Sequence, residues 1–213
     1  MSGKTPKSPV WNRTPVAAGV LAVYAVAVIA AGAARADPVS DYDPVAHYDQ
    51  PQRLPVIAPS PSTWEPQFPF PFDQSRRYVT PADIDAEREM CQWYDAQFDP
   101  IKHQIEGLND NVIRHNGDFN AVDVVRQTDI VTANLDQSLD FLTPRVQALT
   151  RSFDHSADMF FPLYQGDAFY GLWQQMSNVN NGLKARQPTW FTGPSYHQMQ
   201  FWGSKIHRSH VCS

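Results

Sequence analysis

The chain has 213 residues, a formal net charge of −5 at pH 7, and a hydrophobic fraction of 42%. All 22 acidic residues lie at or after Asp37, and Arg76-Arg77 is the only adjacent pair of Lys or Arg residues in the chain. A nucleic-acid partner needs a clustered basic face, so this charge distribution argues against nucleic-acid binding.

The first 36 residues have the parts of an export signal. Three basic residues within residues 1–13 precede an uncharged run over residues 16–34, and Ala34 and Ala36 stand just before Asp37. A basic start, an apolar stretch and small residues at the cleavage site are typical of secretory signals. The sequence therefore predicts a signal peptide over residues 1–36. It also predicts an extracytoplasmic location, whether secreted, periplasmic or in the cell envelope, for the remainder.

The same apolar run is compatible with an uncleaved membrane anchor. Residues 16–34 form a stretch of 19 residues, close to the ~20 that a helix needs to cross a hydrocarbon core. In that alternative the chain spans the membrane once and its basic N-terminus stays in the cytoplasm. Both interpretations place residues 37 onward outside the cytoplasm.

Residues 37–79 are predicted to form a proline-rich extended arm. Nine prolines lie between Pro38 and Pro71, a density that removes backbone donors and favours extended or polyproline II geometry over helix. The arm also carries aromatic residues, which suit contact with a groove. Three interpretations stay open: a strap packed on the protein's own helices, a docking segment for a partner, and a flexible spacer. The arm's candidate interaction residues are Trp64, Phe68, Phe70 and Phe72.

Residues 80–213 are predicted to form an all-α domain built on a long antiparallel helical hairpin. Thr80-Pro81-Ala82-Asp83 has the pattern of a helix N-terminus. Two stripes with three- and four-residue spacing follow, separated by a turn at residues 115–118. The first stripe comprises Ile84, Glu87, Cys91, Tyr94, Phe98, Ile101, Ile105, Leu108 and Val112. The second comprises Val125, Thr128, Thr132, Leu135, Leu139, Leu142, Val146, Leu149 and Phe153.

Prolines and glycines set the expected limits of these helices. Pro100 is expected to kink the first helix or to restart it with Asp99 as its cap, and Pro144 to bend or restart the second, which begins near Asn120. One or two shorter helices are expected after Gly166, over residues 167–187 and 195–207. The turn between these two helices and the second helix supply further candidate interaction residues, namely Trp190, Phe201 and Trp202.

The chain has two cysteines, Cys91 and Cys212. An even number of cysteines in an exported protein is most simply explained by a disulfide. Here it would tie the C-terminal tail to the first helix. Free thiols, intermolecular bonds and metal ligation remain as alternatives. The metal alternative uses His207, His210 and Cys212, because two imidazoles and a thiolate at this spacing suit zinc or copper.

The sequence contains no recognisable catalytic motif, so we expect a protein that is not an enzyme and needs no cofactor. We expect an exported or membrane-tethered helical protein of the cell envelope. It would act as an accessory subunit or interaction module with a protein partner, in an oligomeric state that the sequence leaves open. The alternative is a small-ligand carrier for haem, metal or lipid. That alternative rests on the surplus of aromatic residues after Phe160.

Overall fold

The computed structural model describes residues 50–68, 74–153 and 159–213, and helices dominate this part of the chain. The predicted signal or anchor over residues 1–36, including the run at 16–34, lies outside the described residues, as do Phe70 and Phe72. Within the described ranges, no helix combines the length and apolar character that crossing a membrane requires.

The first long helix has three parts, α1 (Pro81–Trp93), a π-helical turn (Tyr94–Phe98) and α2 (Asp99–Arg114). The predicted N-terminus is confirmed, because Thr80 and Asp83 form a reciprocal capping box and Pro81 opens the helix. Pro100 lies in the first turn of α2, directly after the π turn. Asp99 is therefore the first residue of α2 and not its cap, since the π turn accommodates the proline without a side-chain cap.

The second long helix is α3 (Val122–Ala148), which passes through Pro144 without a break. The turn before it contains Asn116 and Gly117 with positive φ angles of 53° and 84°. Asn and Gly are the residue types that tolerate this left-handed geometry, and the predicted turn at residues 115–118 is confirmed. After α3 the backbone becomes extended at Leu149, and the Thr150 N–H and hydroxyl both donate to the Asp83 carboxylate. These bonds hold the start of α1 to the end of α3.

The chain after α3 differs from the predicted continuation of its apolar stripe. Phe153 belongs to β1 (Ser152–Phe153), which pairs antiparallel with β2 (Met159–Phe160). The early part of the α3 stripe is also shifted by one residue. Its buried residues are Val124, Gln127 and Val131, whereas the predicted Val125, Thr128 and Thr132 are only half-buried.

Three further helices complete the domain, namely α4 (Gly166–Lys184), the one-turn α5 (Pro188–Phe191) and α6 (Pro194–Ser209). Two contacts for each pair show that each long helix runs antiparallel to the next: Glu89–Arg145 with Asn111–Gln127, Thr143–Trp173 with Asp136–Lys184, and Asp167–Lys205 with Gly171–Trp202. Tyr94 Oη donates to the Gly203 carbonyl at 2.8 Å, which brings α6 back beside the first long helix. The result is an up-down-up-down four-helix bundle, and it confirms the all-α prediction.

The bundle core lies between the four long helices and contains large apolar side chains with less than 2% exposure. They include Trp93, Leu108, Leu135, Leu172 and Met176. Burial of each such side chain stabilises the fold by about 1.5–3 kcal/mol before conformational entropy is considered. This core makes the bundle a rigid support for the surface segments that pack on it.

Candidate functional site

Residues 50–68, hereafter the strap, run in extended form along the groove between the first long helix and α3. The central contact is the Asn134 side chain. Its Nδ2 donates to the Gln52 carbonyl at 2.7 Å, and its Oδ1 accepts from the Leu54 N–H at 3.0 Å. Asn134 is 1% exposed, so this amide is buried beneath the strap.

Four glutamines extend the same type of contact along the strap. Gln92 both donates to the Ser60 carbonyl at 2.8 Å and accepts from the Ser60 N–H at 3.0 Å. Gln97 and Gln137 donate to the Pro55 carbonyl, and Gln104 donates to the Gln52 carbonyl at 3.1 Å. We call the five side chains together the amide groove: Gln92, Gln97, Gln104, Asn134 and Gln137.

All these groove contacts are made to main-chain atoms of the strap. The two strap N–H groups that donate to the groove belong to Leu54 and Ser60, whereas Pro55 takes part only through its carbonyl. Proline has no N–H and favours extended geometry, so Pro55 presents no donor that would need a partner in the groove. The amide groove therefore recognises an extended backbone.

Hydrogen bonds between the helices orient the amides. Asn134 Nδ2 donates to Gln104 Oε1 at 2.8 Å, and the Ser138 hydroxyl donates to Gln97 Oε1 at 3.2 Å. A third pair, between Asn111 and Gln127 at 2.8 Å, continues the row toward the hairpin turn. Gln97, Gln104 and Asn111 are spaced seven residues apart, as are Gln127 and Asn134. Sequence analysis missed this polar row because it followed apolar residues, although the seven-residue spacing was visible.

Side chains of the strap also contact the bundle. Pro51 is buried, and Leu54 and Ile57 are half-buried against the core. Arg53 shares an open cleft with Asp136 and Asp140 on α3. Partial burial acts to raise the pKa of Asp136. Hydrogen bonds from Lys184 and Asn180, together with the positive charges of Lys184 and Arg53, nevertheless hold it below its usual range.

The second half of the strap packs on the C-terminal tail. Trp64 Nε1 donates to the Val211 carbonyl at 2.6 Å, and Gln67 Nε2 donates to the His210 carbonyl at 2.8 Å. Phe68 lies under the Arg76 guanidinium, 4.3 Å from the ring centroid. Of the three interpretations of the arm, the contacts of residues 50–68 agree with the first, a strap packed on the protein's own helices. Trp64 and Phe68 are engaged within the protein's own chain.

The tail is held by the disulfide between Cys91 and Cys212, whose Cα atoms are 5.0 Å apart. The metal alternative requires a free thiolate at Cys212, and that sulfur is bonded to Cys91. His207 is exposed on α6, and the His210 carbonyl accepts from the strap. Among the described residues, no three side chains of His, Cys, Asp or Glu are grouped so that they could hold a metal ion.

The remaining candidate interaction residues lie at the surface of the second helical pair. Phe201 is 49% exposed on α6 and packs edge-on against Trp202, with ring centroids 5.1 Å apart. Trp202 is half-buried because its ring lies against Gly171 of α4, where a Cβ atom would come within 2.5 Å of it. Trp190 is 47% exposed. Phe161 and Trp173, part of the aromatic surplus, each pack against the ring of Tyr170.

A buried carboxyl group, Glu87, lies on the core side of α1. It is 1% exposed, and neither of its oxygens has a hydrogen-bond partner within the described ranges. Burial, followed by the negative charges of Asp83 and Asp167, raises the pKa of Glu87 well above its ordinary value of 4.5. In the folded protein this side chain therefore holds its proton at pH values where the unfolded chain releases it.

We expect Glu87→Gln to stabilise the fold increasingly as pH rises. The native state binds the Glu87 proton more tightly than the unfolded state, so wild-type stability falls as pH rises from the unfolded pKa toward the native pKa. The loss is about 1.4 kcal/mol for each pH unit between the two pKa values, and the glutamine variant lacks it. Urea unfolding at about pH 4, 5.5 and 7 measures the difference between the two proteins.

Glu65→Gln is the matched control, because it makes the same chemical change at an exposed strap residue. It should change stability by less than about 0.5 kcal/mol at all three pH values. A difference between Glu87→Gln and wild type that stays constant with pH would contradict the prediction.

The chain was compared with protein-family models, with curated proteins and with solved structures, and none of the three comparisons found a match.

Proposed function

We propose that this protein works outside the cytoplasm as a non-enzymatic interaction module or accessory subunit of the cell envelope. In this proposal residues 1–36 either export it or tether it to the membrane. The Cys91–Cys212 disulfide supports the location, because disulfides persist in oxidising compartments and are rare in the cytosol.

The observation that carries the interaction role is the aromatic pair of α6, in which Phe201 is 49% exposed and Trp202 supports it from below. Phe201 and Trp202 are large side chains of the type enriched in the centres of protein interfaces. Their edge-to-face packing and the contact of Trp202 with Gly171 fix both rings in place. Fixed rings lose little conformational entropy when a partner covers them, which favours binding.

A photo-crosslinking amino acid at position 201 tests this proposal in intact cells of the native host. The matched control places the same amino acid at Gln174, an exposed residue of α4. We expect a discrete protein adduct at position 201 that is absent at position 174, and mass spectrometry should identify an extracytoplasmic protein in it. Identical adducts at both positions would contradict the interaction surface, and a cytoplasmic partner would contradict the location.

A further inference from the structure

We propose that the amide groove is a binding site for an extended, proline-containing segment of another protein, and that the strap is its built-in ligand. The preferred segment has the order proline, any residue, basic residue, apolar residue, proline, as in residues 51–55. This surface lies between the first long helix and α3, so the inference does not depend on the aromatic pair of α6.

The first support is the chemistry of the groove contacts. Gln92 donates to and accepts from the main chain of Ser60, and Asn134 donates to the Gln52 carbonyl and accepts from the Leu54 N–H. Contacts of this type are available to any extended chain, whichever protein supplies it. The groove therefore accepts a foreign segment with the same set of hydrogen bonds.

The second support is that the groove is set up by the helices themselves. Gln104 Oε1 accepts from Asn134, and Gln97 Oε1 accepts from Ser138, so these bonds between α2, the π turn and α3 exist independently of the strap. Side chains that are already oriented lose little freedom when a ligand arrives, which raises affinity. An emptied groove would keep its donors directed outward.

The third support gives the ligand its sequence preference. The groove buries Pro51 and half-buries Leu54, which calls for a proline and an apolar residue at these positions. Between them, Arg53 faces the cleft that holds Asp136 and Asp140. Asp136 also pairs with Lys184, and together with that ion pair the Asp140 carboxylate leaves the cleft net negative, which favours a basic residue and disfavours an acidic one.

The strap competes with any incoming segment. Because it belongs to the same chain, its effective concentration at the groove is on the order of millimolar, so a foreign segment binds weakly until the strap is loosened. Leu54→Pro with Ser60→Pro loosens it selectively. The double change removes the two strap N–H groups that donate to Asn134 and Gln92 and leaves the groove side chains unchanged.

The experiment measures binding of a fluorescent peptide of residues 50–60 to the full chain by anisotropy. We expect the loosened chain to bind at least about tenfold more tightly than wild type, because the internal competitor is weakened. Adding Gln92→Ala and Gln137→Ala to the loosened chain should weaken binding by about tenfold or more, since several hydrogen bonds are lost. A peptide carrying Arg53→Glu should also bind about tenfold more weakly.

Absence of binding to a folded loosened chain, or equal binding of the Arg53→Glu peptide, would overturn the proposal. If the loosened chain loses its helical circular dichroism, disulfide trapping replaces it. The full chain carries Ala133→Cys and the peptide carries Val56→Cys, because both residues line the same cleft and Ala133 is not part of the amide groove. The control is the full chain with Gln174→Cys instead. A disulfide adduct with the peptide at least about tenfold more abundant than in this control supports the site, and equal adduct yields overturn it.

Discussion

Replacing both cysteines, by Cys91→Ser with Cys212→Ser, is expected to lower the free energy of unfolding by about 4 kcal/mol. The bond joins residues 121 positions apart, so its loss greatly increases the conformational freedom of the unfolded chain. Chemical denaturation of the wild type and the double variant, both purified without reductant, measures the change.

The tail should then release the second half of the strap. Trp64 and Gln67 bind the carbonyls of Val211 and His210, which the disulfide holds beside α1. Hydrogen exchange should show lost protection within residues 61–68, whereas the N–H groups of Leu54 and Ser60 stay protected by Asn134 and Gln92. Reductant should reproduce both effects in the wild type and change nothing in the double variant. A stability loss below about 1 kcal/mol would contradict the structural role of this bond.

Asp83→Ala is expected to destabilise the fold by about 3 kcal/mol, which corresponds to a fall in melting temperature of about 6–12 °C. The carboxylate is 1% exposed and accepts from the N–H and hydroxyl groups of both Thr80 and Thr150. Its removal leaves the donors of Thr80 and Thr150 without this buried acceptor and separates the end of α3 from the start of α1. Thermal unfolding followed by circular dichroism measures the effect.

Asp85→Ala is the matched control on the same helix. Asp85 is largely exposed and forms a single i,i+3 ion pair with Arg88, so its loss should change stability by less than about 0.5 kcal/mol. Equal effects of the two substitutions would show that Asp83 does not join α1 to α3.

The helical hairpin followed from the sequence because apolar side chains recur at the helical period. Ile101, Ile105 and Leu108 are each at most 1% exposed, as the first stripe predicts. The cysteine pairing also followed, since the chain offered one intramolecular pair. The spacing of apolar residues was enough to predict the hairpin, and the number of cysteines was enough to predict the disulfide. Neither prediction required knowledge of contacts between distant residues.

The candidate site could not be predicted in the same way. Gln97 and Asn134 are each 1% exposed, yet glutamine and asparagine normally indicate a solvated helix face. Their burial is stable only because the strap and the neighbouring helix complete their hydrogen bonds. At the start of α3 the buried face holds Val124 and Gln127, whose side chain bonds Asn111, whereas the spacing of apolar residues favours Val125 and Thr128.

The long sequence separation of the strap contacts sets an order of events during folding. Asn111 and Gln127 meet across 16 residues, whereas Leu54 reaches Asn134 across 80 and Trp64 reaches Val211 across 147. Because contacts between distant residues cost more loop entropy, we expect the hairpin to assemble first and the strap to arrive late. In that order a folding chain would pass through an interval in which its groove is complete and vacant, and a competing segment would then meet no internal competitor.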